Sequence, residues 1–108
     1  MINRDRIVGA FLELVAIDSP SGDEDAIAAE LERRLRGLGL EASQDAAGNV
    51  HARLEGEGEA VLLSAHMDTV EPGRGIRPVW DGPDIVRSDG TTILGADNKA
   101  GCAVILEV

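Results

Sequence analysis

The side chains in this sequence able to move protons, attack an electrophile or hold a metal are two histidines, one cysteine and 20 carboxylates, and one spacing among them stands out. In Val61-Leu62-Leu63-Ser64-Ala65-His66-Met67-Asp68 an uncharged, largely apolar run ends in His-x-Asp. Side chains alternate along a strand, so positions i and i+2 share a face, and His66 and Asp68 point the same way where the run stops. A neutral imidazole is a common zinc ligand, and a ligating imidazole usually gives its other ring N–H to a carboxylate that fixes its tautomer. His66 and Asp68 match that pairing. A lone histidine in an apolar strand is nevertheless more often an ordinary hydrogen-bonded core or edge residue, so His-x-Asp needs a second signal.

The second signal runs from Asp89 to Ala103, where glycines at 90, 95 and 101 permit sharp turns and close backbone approach. Among them Asp97 falls just before an apolar, helix-compatible run. Aspartate is a favoured N-cap, and capping is the plain reading of Asp97. The alternative is that its two oxygens bridge a pair of metal ions, which lie ~3.5–4 Å apart in two-metal hydrolases. The residues alone leave both roles open.

Taken together, His66-Met67-Asp68-Thr69-Val70 and, about thirty residues on, Gly95-Ala96-Asp97-Asn98-Lys99-Ala100-Gly101 resemble the M20 metallopeptidases, and among them the peptidase T-like aminopeptidases. The similarity extends from Met1 to Val108. It implies that His66 binds zinc, that Asp68 joins the catalytic apparatus by orienting His66, and that Asp97 bridges two zinc ions, with Co2+ or Mn2+ as alternative metals. It also implies a cis peptide bond after Asp97 and a short peptide as substrate, cleaved at its amino-terminal bond. An aminoacylase or deacylase is the neighbouring possibility within the same chemistry. The family's further site residues are a Glu-Glu pair, another carboxylate and a final histidine, and none can be placed here, since the sequence closes on Glu107-Val108. The expectation is therefore residues 1–108 as the amino-terminal portion of a catalytic domain, without the inserted smaller domain and inactive alone. A non-catalytic chain that self-associates through uncovered apolar surface, or pairs with a partner, is the competing expectation.

Composition bounds the rest. At 108 residues and 44% hydrophobic content the chain has material for one small core, built from Leu, Ile, Val and Ala because Phe11 and Trp80 are its only aromatics. Twenty acidic against ten basic residues give a net charge of −10, which argues against nucleic acid or an anionic membrane as partner. Cys102 has no second cysteine to pair with and lies in an apolar run, as a small buried hydrophobe would. No stretch approaches the ~20 apolar residues of a membrane span, and the first apolar run lacks a cleavage site, so the expected location is cytoplasmic.

The elements that must position these groups follow from periodicity. Ile7, Phe11, Leu14 and Val15 predict a helix over residues 4–17 with Asn3 as cap. Ser21 followed by Glu24 matches a capping box opening a second helix, with Ile27, Leu31, Leu35 and Leu38 as its buried stripe. Residues 40–44 and 49–54 read as strands about the turn Ala46-Ala47-Gly48, and His51 is assigned to solvent or packing rather than to the site. Residues 61–70 read as a strand buried on both faces. Glu71 to Gly75 form a loop at the mouth of the site, and residues 76–87 an irregular hairpin bearing an exposed Trp80. The fold class expected is α/β, with helices packed on a mixed, mostly parallel sheet, a partial zinc-exopeptidase-like catalytic domain.

Overall fold

Helix α1, Arg4–Val15, begins where the Asn3 side chain accepts the Arg6 backbone N–H at 2.9 Å. Its apolar stripe delivers Leu14 and Val15 to full burial, as the helical spacing predicts. The computed structural model describes residues 1–108 throughout. Helix α2, Asp25–Gly37, buries Ile27, Ala28 and Leu31 but leaves Leu38 exposed beyond its end. Strands β1, Glu41–Gln44, and β2, Val50–Arg53, pair antiparallel, and β3, Pro78–Asp81, pairs antiparallel with β4, Ile85–Ser88. Helix α3, Ala96–Glu107, completes the order.

The core is the meeting of the three helices. Leu14 of α1, Ile27 and Leu31 of α2, and Cys102 and Ala103 of α3 form one buried cluster, on which Phe11, Ala65 and Met67 pack. Arg6 clamps the far ends of α1 and α3 together, its guanidinium donating to both oxygens of Glu107 at 2.8 and 2.6 Å while the Asn3 backbone N–H adds a third bond at 2.8 Å. Cys102 is buried as expected, and burial pushes its thiol above the ordinary range. No helix is long and apolar enough to cross a membrane.

The α/β class holds, but the sheet differs from the expectation of a mixed, mostly parallel one. It consists of two separate two-stranded antiparallel ribbons, and the single parallel contact is an isolated bridge between Pro20 and Thr69. The 61–70 stretch is likewise not a strand buried on both faces. Val61, Leu62 and Leu63 are exposed, and only Ala65 and Met67 touch the core. The reason is the absence of a ladder: a strand is stabilised by hydrogen bonds to its neighbours, and neither ribbon is hydrogen-bonded to residues 61–68.

Candidate metal centre

The extended run does deliver His66 and Asp68 to one face. The imidazole Nδ1 lies 3.1 Å from Asp68 Oδ1 and 3.1 Å from the Asp68 carbonyl oxygen. Its other nitrogen, Nε2, lies 2.9 Å from Asp97 Oδ1, across 31 residues of sequence. The three residues singled out by motif are thus brought together as one His flanked by two carboxylates. An acceptor at each ring nitrogen stabilises the imidazolium, and the His66 pKa is raised, first by the bond to Asp97 and then by the Asp68 contacts. Asp68 is held below the ordinary carboxylate range by the Ser21 hydroxyl first and by His66 second.

Asp97 reaches His66 because it is not a cap. Within α3 its backbone is non-helical at φ −94°, ψ 95°, Asn98 follows at φ −129°, ψ 40°, and the Asp97–Asn98 peptide bond is cis. Capping falls instead to Asn98, whose Oδ1 accepts the Gly101 N–H at 3.0 Å. That close approach explains the glycine: a Cβ at residue 101 would lie 2.4 Å from Asn98 Oδ1. With the cap supplied by its neighbour, the Asp97 carboxylate projects freely, its side chain 95% exposed apart from the bond to His66.

Ser21 departs from its predicted role. The capping-box reading gives its hydroxyl to the start of α2, yet α2 has no side-chain cap, and the hydroxyl donates to Asp68 Oδ2. Sequence reasoning had no signal for this contact, because a capping box and a tertiary donor look identical in one dimension. His51, kept out of the site, pairs with Asp45 at 2.8 Å. The Glu71–Gly75 loop lines a polar open cavity of about 820 Å³ with Arg77 and Thr91, while an apolar cleft of about 540 Å³ runs from α2 and β2 to the His66–Asp68 face.

The donor types fit a zinc ion. An imidazole nitrogen and a carboxylate oxygen face each other, with a second carboxylate behind the ring. The number is short: catalytic zinc normally takes three protein ligands, and no group of three or more His, Cys, Asp or Glu side chains is placed to hold one ion.

No protein-family model matches the chain. Among curated proteins, YqjE of Bacillus subtilis, itself uncharacterized, is 41% identical over 99% of this chain and 31% of its own length. Others carry the names Peptidase T and LysW-lysine/LysW-ornithine hydrolase. Among solved structures, a tripeptidase from Staphylococcus aureus is 40% identical with a TM-score of 0.91, covering 99% of this chain and 31% of that one. The aminopeptidase PepT of Bacillus cereus is 38% identical with a TM-score of 0.88, covering 98% of this chain and 31% of that one. The chain spans about a third of the length of these proteins. Sequence and fold together support an M20 peptidase-like domain over the length of this chain.

Proposed function

We propose that these residues are the part of a dizinc metallopeptidase that carries His66, Asp68 and Asp97, and that the substrate of the complete site is a short peptide cleaved at its amino-terminal bond. The observation carrying this reading is the convergence of His66 Nε2 and Asp97 Oδ1 at 2.9 Å, from motifs far apart in sequence, with Asp68 at the opposite ring nitrogen. His66 would hold one ion and Asp97 would bridge two. The chemistry such ions supply is polarisation of a carbonyl and a bound water of lowered pKa. With a metal bound, Asp68 would keep the ring proton on Nδ1, leaving the Nε2 lone pair for the ion. The names tripeptidase and aminopeptidase, carried by structures sharing this fold, support a short peptide as substrate. The relatives named for LysW-lysine and LysW-ornithine hydrolysis support a second substrate class for the same residues.

With two donors in place, the chain alone binds zinc weakly and does not turn over. The test is a tripeptide hydrolysis assay on the 108-residue chain with added Zn2+, with and without chelator. No turnover is expected, and robust chelator-sensitive hydrolysis would overturn the view that the site is completed by other residues. A competing non-catalytic reading, self-association, is supported by the exposed Val61, Leu62 and Leu63.

A further inference from the structure

We propose that Ser21 is a positioning residue of this site, delivered by the connection between α1 and α2 to fix the Asp68 carboxylate so that one oxygen is reserved for His66. The inference rests on the reading of His66 and Asp97 as metal ligands. A carboxylate turns about its Cβ–Cγ bond unless both oxygens are engaged. Here they are divided, Oδ2 accepting from the Ser21 hydroxyl and Oδ1 facing His66 Nδ1 at 3.1 Å. Two bonds on different oxygens set the plane of the group, and the plane sets the ring that it backs.

The connection is built to place that hydroxyl. Thr69 N–H donates to the Ser19 carbonyl at 2.8 Å and Ser21 N–H to the Thr69 carbonyl at 3.1 Å, so Ser21 is in register with the residue next to Asp68. The Ser19 hydroxyl donates to the Met67 carbonyl at 2.9 Å, on the other side of Asp68. The same connection is tied to the Asp97 half of the site: fully buried Lys99, two residues after Asp97, donates from Nζ to the Ile17 carbonyl at 2.6 Å. A single segment, residues 17–21, therefore braces the elements that bear His66, Asp68 and Asp97. Ser21 is free for this work because Glu24 satisfies the Gly22 N–H at 3.0 Å and α2 takes no cap from a side chain.

The test is Co2+ titration of the 108-residue chain followed in two-dimensional NMR, which measures dissociation constants into the millimolar range, on Ser21→Ala, Ser21→Thr and Asp97→Asn. Removing a residue that orients a ligand directly typically weakens metal binding ~10–100-fold, and one step further out the expected loss for Ser21→Ala is about 3–10-fold. Ser21→Thr, which keeps the hydroxyl, should stay within about twofold of the parent, and Asp97→Asn should lose more than about tenfold. If Asp97→Asn loses binding while Ser21→Ala matches the parent, the role of Ser21 is refuted and the metal reading stands. If neither variant alters the Co2+ response, the metal reading falls and takes this proposal with it. A Ser21→Ala loss that Ser21→Thr does not restore, accompanied by a lowered melting temperature, would reduce Ser21 to a structural residue.

Discussion

Val61, Leu62 and Leu63 stand 83%, 90% and 52% exposed, whereas Ser19, Thr69 and Lys99, which flank the site a few residues away, are exposed by only 0%, 2% and 0%. Side-chain polarity predicts the reverse order. Partners account for the inversion. Ser19 donates to the Met67 carbonyl and Lys99 to the Ile17 carbonyl, so these groups recover in the interior the hydrogen bonds they surrender to water. The Thr69 hydroxyl is the exception, buried without a partner against the Gly73 backbone. Val61, Leu62 and Leu63 lack what they need instead, since no strand is hydrogen-bonded alongside their stretch. Around this site, then, burial marks where backbone and side chain have been locked together, and exposure marks an edge left open.

The largest effect expected from breaking that contrast is at Lys99. Lys99→Ala removes a fully buried side chain and leaves the Ile17 carbonyl unpaired, and should cost about 2–4 kcal/mol in urea unfolding. A loss below about 1 kcal/mol would show that the buried polar segment is not what braces the fold.

The Arg6–Glu107 clamp sharpens the comparison with a charged pair. Arg6 and the Asn3 N–H hold the Glu107 carboxyl down to about 2. Its folded pKa lies below the unfolded value of ~4.3, so its contribution is complete above that value and is lost as pH falls towards about 2. Thermal melts of Glu107→Gln should therefore fall below the parent most clearly near neutral pH, with the gap closing towards about pH 2. A gap that persisted undiminished in acid would assign the effect to packing rather than to charge.

The smallest change in stability belongs to the open edge. Leu62→Ser should alter unfolding free energy by no more than about 0.5 kcal/mol, because its side chain has little packing to lose. Its readout is light scattering: the parent chain is expected to self-associate as concentration rises and the variant to remain closer to monomer. A strictly monomeric parent would count against self-association through this stretch.

Much of the local structure could be read directly. The Asn3 cap and apolar spacing defined α1 to within two residues of its end, and the turn at Ala46-Ala47-Gly48 lies where β1 and β2 reverse. The two strands about Asp81 to Asp84 were legible for the same reason, and Trp80 is indeed exposed. His-x-Asp was readable as a shared face because that relation needs only two residues of extended chain. Leu38 was assigned to the interior by helical spacing and the 61–63 stretch by its apolar run, and both signals register the preference of a side chain but not whether anything arrives to cover it.

What the sequence determined by itself is therefore the set of relations spanning a turn of helix or a step of strand: caps, stripes, hairpin turns and the pairing of His66 with Asp68. The tertiary structure alone decided that Asp97 meets His66, that Ser21 serves Asp68 rather than α2, and that Lys99 is buried on the Ile17 carbonyl. These contacts join residues 31, 47 and 82 positions apart. At such separations the outcome depends on which segments the core brings together, because the entropy of closing the loop is offset only by packing of the whole domain and not by the residues that finally touch.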